Sequence, residues 1–192
     1  MIAPPAGVRI WLAAGVTDMG GERVHAEDTV VPVLEPGRGR TRTARLWTYV
    51  RDDRPFAGTG PLAALYRYSP DRRGEHPRAH LQGFQGILQA DGYADYAELY
   101  VDGGIVEAAC MAHVRRKFFD VHQATQSPLA REALDRIAAL YRIEAVIRGR
   151  PAGQRLRARV EHSAPLLAEL HAWLEATRSR ISGRSDLAGA IR

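Results

Sequence analysis

Two acidic positions in this 192-residue chain have the residue types that phosphoryl-transfer chemistry needs. The first is Asp91, which follows Ile87-Leu88-Gln89-Ala90 and precedes Gly92. A short apolar run bounded by Gly reads as a buried strand. Asp91 then falls where a strand emerges, the edge at which α/β sheets bind ligands. The plain reading is a turn-starting Asp before Gly. The chemical reading is a metal ligand, and it needs a second carboxylate from a neighbouring strand. Glu27-Asp28-Thr29 offers one. Carboxylates converging from separate strands suit hard cations such as Mg²⁺. Two such ions roughly 3.5–4 Å apart stabilise the attacking and leaving oxygens of phosphoryl transfer. Successive strand residues face opposite sides of a sheet, so Glu27 and Asp28 are not interchangeable.

Other groups carry weaker signals. Cys110-x-x-His113 has zinc-like spacing, but a closed structural site takes four ligands, so packing is the stronger reading. Arg115, Arg116 and Lys117 are candidate phosphate contacts, balanced against a solvated helix face. His25 lies beside the acids, though a packed or exposed histidine is the simpler account. Glu107 is a candidate substitute for a third acid.

The elements that must position these groups follow from pattern. Residues 1–23, broken by Pro4-Pro5 and Gly20-Gly21, read as a loose or short-helical leader. Val24–Leu34, Ala44–Val50 and Leu62–Tyr68 read as strands rich in β-branched and aromatic residues, with Pro32 marking an irregular portion. Ser69–Pro77 is a polar loop. A short helix at His80–Phe84 precedes the strand that ends at Asp91, and a helix at Tyr93–Tyr100 follows it. Ile105–Met111 is a fifth strand. Beyond Ala112 the period is helical: Ser127-Pro128 caps a helix reaching Ile147, another spans Ala164–Thr177, and a last one starts near Ser185. Three consecutive strands suit an antiparallel meander, and two further strands reached by crossovers suit parallel pairing.

Nearly half the residues are hydrophobic, enough for a real core, and the net charge is +5. Lys117 is the sole lysine. Residues 1–110 carry 12 Arg against 14 acids, and residues 111–192 carry 15 Arg and Lys against 8 acids. A basic half suggests a polyanionic partner, against the alternative of Arg-biased solvated helices. No run reaches the roughly 18 apolar residues of a membrane span. The opening segment lacks the layout of a secretory signal, so a cytoplasmic location is expected. One cysteine excludes an internal disulfide framework.

The stretches HAEDTVVPVLEPGRGRTRTARLWTYVRDDRPF, YSPDRRGEHP, FQGILQADGY, AACMAHVRRKFFDVH and SPLAREALDRIAALYRIE closely resemble transposases of the insertion sequence 66 family. The resemblance runs from about His25 to the C-terminus. It implies an α/β, ribonuclease-H-like mixed sheet followed by a helical insertion subdomain. The corresponding segments are a leader (1–23), an incomplete transposase core (24–126) and a truncated helical insertion (127–192). It also implies Mg²⁺-dependent DNA cleavage and strand transfer at transposon ends, with DNA and other transposition proteins, full-length transposase among them, as partners. Asp91 matches the family's second catalytic acid. The first lies in an Asp-acid-Thr motif whose register here reads Glu27-Asp28-Thr29, so Glu27 replaces the usual Asp and Asp28 is its neighbour. Catalytic candidates are therefore Asp91, Glu27 and Asp28, and metal-ligand candidates are Asp91 and Glu27. The family's third acid lies in an Asp-Asn-Asn…Glu-Arg motif that no residue here matches, and Glu144 resembles a family position without an assignable role. The expectation is a transposase fragment inactive by itself, its standing as an enzyme left open. The alternative is a non-catalytic protein that binds DNA or full-length transposase and interferes with transposition.

Overall fold

The computed structural model describes residues 8–11, 22–37 and 39–191. They fall into two compact units, one ending at Cys110 and one beginning at Met111. The helical unit thus includes residues 111–126, which the resemblance groups with the sheet.

The first unit is α/β and built on one mixed sheet. Its strands are β1 (Val8–Trp11), β2 (Arg23–Leu34), β3 (Thr41–Arg51), β4 (Leu62–Ser69), β5 (Gly86–Ala90) and β6 (Ile105–Ala109), in spatial order β1-β4-β3-β2-β5-β6. Strands β2, β3 and β4 form the expected antiparallel meander. Strands β5 and β6 extend it in parallel beyond β2. Strand β1 is a departure from the expected leader: Val8–Trp11 pairs in parallel with β4 at the far edge. The rest of that leader, residues 1–7 and 12–21, lies outside the described residues.

Alternation along the strands builds the core. Val24 and Ala26 of β2, Trp47 and Tyr49 of β3, Leu65 of β4 and Leu88 of β5 are all buried on one face. Leu81, Phe84 and Tyr96 cover that face from the segments flanking β5. The short helix before β5 is α1 (Glu75–His80), earlier than the expected His80–Phe84. Gly74 opens it, and Pro77 falls in its first turn, where a missing N–H costs little. Leu81 and Phe84 are core residues of the turn that follows. The helix expected after Asp91 is present as a 3₁₀ helix at Ala94–Tyr100.

Polar anchors tie the ends of this core. Trp47 donates from its indole nitrogen to Ser69 Oγ at 2.7 Å, and Ser69 Oγ in turn donates to the Asp71 carbonyl at 2.5 Å. The Tyr49 hydroxyl lies 3.0 Å from His80 Nδ1. Burial raises the Tyr49 phenol far above its ordinary value. Burial, with Arg67 and His76 adding repulsion, pushes His80 down from 6.5 to about 4.

The second unit holds α2 (Met111–Thr125), α3 (Pro128–Ile147), α4 (Ala152–Ala158), a π-helical turn (Arg159–Ser163), α5 (Ala164–Arg178) and α6 (Asp186–Ile191). Ser127 caps α3 by accepting from the Ala130 N–H at 3.3 Å, with Pro128 in the first turn. The stripe Ala130, Ala133, Ile137 and Leu140 on α3 packs with Phe118 of α2 and Leu170 of α5. The last helix is seated too, with Leu187, Ala188 and Ala190 buried. No helix among the described residues is long and apolar enough to cross a membrane.

Gly86 and His80 give two measurable expectations. Gly86 has φ +142°, and a Cβ there would come 2.4 Å from the Glu22 carbonyl oxygen. Gly86→Ala should cost about 2 kcal/mol in urea unfolding, while Gly104→Ala, which meets only the Gln85 side chain at 3.8 Å, should stay within about 0.5 kcal/mol. Equal costs would contradict the strain assigned to Gly86. His80 has a folded pKa below its unfolded value, so the unfolded chain takes up the proton first as pH falls. Stability should therefore decline as pH drops from about 6.5 toward 4, and His80→Gln should flatten that limb of the melting profile.

Candidate functional site

Strand β2 carries two acids to opposite faces of the sheet. The antiparallel register pairs Asp28 with Trp47 and Glu27 with Thr48. Paired residues share a face, so Asp28 lies on the Trp47 side, the packed one, and Glu27 lies on the other. The parallel register pairs His25 with Gln89. Continuing by alternation, Glu27 comes level with Asp91, one residue beyond the end of β5.

Glu27 and Asp91 accordingly line one small cleft of about 150 Å³, together with His25, Thr48, Gln89 and Cys110. Its wall is assembled from the ends of three neighbouring strands and the residue after β6, where the Cys110 N–H donates to the Ala90 carbonyl at 3.2 Å. The oxygen groups in it are hard donors of the kind Mg²⁺ or Mn²⁺ accepts. Among the described residues no three His, Cys, Asp or Glu side chains converge closely enough to form a metal cluster.

Asp28 occupies a different environment. Its side chain is 1% exposed. Buried carboxylates are tolerated only when paired and hydrogen-bonded. Here Arg45 Nη1 donates to Oδ2 at 2.9 Å. Arg72 donates from Nε to Oδ1 and Oδ2 at 2.9 and 3.1 Å, and from Nη2 to Oδ1 at 2.6 Å. The same Nη2 reaches Asp91 Oδ2 at 2.9 Å. One guanidinium therefore joins an interior acid to the acid at the cleft. Arg72 is further held by the Tyr93 ring, whose centroid is 4.0 Å from Cζ. The Tyr93 hydroxyl abuts the Arg72 carbonyl and the Asp95 carboxylate. Burial first, then the Asp95 contact, pushes the Tyr93 phenol up to about 12.

The structure thus sets Glu27 and Asp28 on opposite faces of β2, while Asp91 lines the cleft with Glu27 and shares the Arg72 guanidinium with Asp28. Sequence reasoning did not single out Arg72 or Tyr93. A usable signal was present: an acid at an inward strand position demands a cation, and Arg72 or Arg73 in the preceding loop was available to supply it. Arg115, Arg116 and Lys117 are exposed on α2, with Arg115 Cζ 5.9 Å from the Phe119 ring centroid. Half of the eight acids of the helical unit are engaged by arginines: Glu132 by Arg136, Asp135 by Arg131, Glu144 by Arg159 and Glu175 by Arg178. Exposed Arg142, Arg148, Arg150 and Arg157 have no acidic partner among the described residues.

Comparison with known proteins bears on this arrangement. The chain is similar to two uncharacterized proteins of Sinorhizobium fredii (strain NBRC 101917 / NGR234). It is 42% identical to y4hP over 182 residues, covering 86% of this chain and 33% of that protein. It is 41% identical to y4qI over 179 residues, covering 90% of this chain and 33% of that protein. The chain thus spans about a third of the length of the curated relatives it matches. No solved structure matches it. The description "Transposase IS66 family" matches residues 18–192, a span that takes in both strands bearing the acids and the whole helical unit, and the chain belongs to that family.

Proposed function

We propose that this chain carries two acid positions of a metal-dependent DNA transposase centre, Glu27 and Asp91, on a ribonuclease-H-like sheet. The observation that carries the reading is the small cleft that both side chains line. The strand order of β2 to β6, a three-stranded meander extended by two parallel strands, supports the sheet assignment. Carboxylate oxygens fit a divalent cation in kind. When bound, divalent ions in such a site stabilise the attacking and leaving oxygens of a DNA phosphodiester. Glu27 and Asp91 would hold the cation, with Thr48 and His25 lining its surroundings. Asp28, enclosed by two guanidinium groups on the packed face, serves the architecture instead of the chemistry.

Two features argue that the chain does not process DNA by itself. Glu27 is one methylene longer than the aspartate its register implies, and Mg²⁺ demands near-ideal octahedral geometry. Two carboxylates also leave most coordination positions to water. The helical unit has a separate part in this reading: Arg115, Arg116 and Lys117, with the exposed Arg142, Arg148, Arg150 and Arg157, contact the phosphates of transposon-end DNA. That surface equally suits the second reading, a non-catalytic DNA- or transposase-binding protein that interferes with transposition.

The catalytic reading is tested with a plasmid bearing the element's own ends and Mg²⁺ or Mn²⁺. The chain should give no specific cleavage, and Glu27→Asp should bind Mn²⁺ several-fold tighter than the native sequence. Specific cleavage that survives Asp91→Ala would remove Asp91 from the site. The DNA reading is tested by anisotropy on a labelled duplex across salt concentrations. Affinity should fall steeply with salt, and replacing Arg115, Arg116 and Lys117 by Ala should lower the slope by roughly one per charge whatever the sequence. Binding indifferent to salt would dispose of the phosphate-contact assignment.

A further inference from the structure

Resting on the Glu27–Asp91 reading, we infer that Arg72 is a positioning residue for Asp91 and the built-in counter-cation that limits how tightly the cleft holds a divalent ion. The geometry carries the argument. Three donor contacts fix Arg72 to Asp28, whose side chain is 1% exposed and is also gripped by Arg45. The Tyr93 ring backs the guanidinium. Its position is therefore set from the interior, independently of Asp91. The remaining interaction, Nη2 to Asp91 Oδ2 at 2.9 Å, engages one oxygen of the cleft acid.

Fixing Asp91 and repelling a cation are opposed effects, and their sizes decide the outcome. Asp has few rotamers, so the ordering that Arg72 supplies is a small gain. A fixed positive charge next to the ligand repels a doubly charged ion across a short distance, and in a partly desolvated cleft this term is the larger. Arg72 is one-third exposed, so salt screens part of it. The charge of Arg72 thus lowers divalent-ion affinity in the resting chain. Full occupancy of the site requires Asp91 to loosen its hold on Nη2, or the anionic phosphate of a bound DNA strand to offset the guanidinium. Arg72 in this way couples ion binding to the presence of the polyanion.

The test is Mn²⁺ binding to the whole chain, followed by electron paramagnetic resonance at low and moderate salt, beside thermal melts that report folding. Arg72→Gln should bind Mn²⁺ about tenfold tighter at low salt, with the advantage shrinking as salt rises. Arg72→Lys, which keeps the charge but cannot span both acids, should stay within about twofold of the native chain. Because Arg72→Gln strips donors from buried Asp28, the pair Asp28→Asn with Arg72→Gln provides a neutral background, and it should show the same tightening. Affinity that is unchanged or weaker in both folded variants overturns the inference, as does a failure of every form to bind Mn²⁺. Asp91→Ala separates the two levels. If it leaves Mn²⁺ binding intact, the Glu27–Asp91 reading itself falls. If it abolishes binding while Arg72→Gln gives no tightening, only the role of Arg72 falls.

Discussion

A carboxylate on the packed face of a sheet is the constraint around which this end of the first unit is arranged. Asp28 sits between Trp47 and the loop after β4, out of contact with water. A lone charge there would be untenable. Arg45 alone offers one contact, so the loop must return Arg72 to the strand ends to complete the pairing. The Trp47–Ser69–Asp71 chain of hydrogen bonds delivers that loop, and Tyr93 receives it on the other side. Buried ion pairs add little net stability compared with apolar packing. Their effect here is specificity: they select one path for the loop and one pose for the acid beyond β5.

The strands were legible because each reading rested on local patterning that tertiary packing then reinforced. Val24–Leu34 and Ile105–Met111 combine β-branched or small apolar residues with clear breakers, and the sheet uses them as Arg23–Leu34 and Ile105–Ala109, with Met111 opening α2 instead. The alternation rule also separates Glu27 from Asp28 on pattern alone. What it did not convey was which of the two faced inward, since that depends on which face acquires the cover from Leu81, Phe84 and Tyr96. Strand β1 was missed because four residues between Pro and Gly breakers carry too little pattern to stand alone; only pairing with β4 makes them a strand. Helix α1 was displaced for a related reason: Leu81 and Phe84 look like a helical face but are core contacts of a turn.

The helical unit shows the same division between local and non-local information. The stripe on α3 and the Ser127 cap follow directly from sequence. The assignment of α2 to this unit does not, since Phe118 and Val121 declare their partners only by packing against α3 and its neighbours. The π-helical turn at Arg159–Ser163 is likewise silent in the sequence. It adjoins a mostly apolar cleft of about 420 Å³ lined by Leu140, Tyr141, Val160 and Leu167, with the Ser163 hydroxyl buried and unpartnered. The bidentate Glu144–Arg159 pair on its wall gives Glu144 a plain role, the clamping of α3 to that turn.

The tethering of the β4–α1 loop has a consequence for how this protein can drift. Ser69 grips the backbone at Asp71 from one side, and the Tyr93 hydroxyl meets it at Arg72 from the other. Surface loops ordinarily absorb added or deleted residues at little cost. This one cannot, because a shift of a single position would carry the guanidinium away from Asp28 and strand a charge inside the sheet. The segment from Ser69 to Arg72 is length-locked: its side chains outside the tether are free to vary, but its count of residues is fixed as firmly as that of a strand.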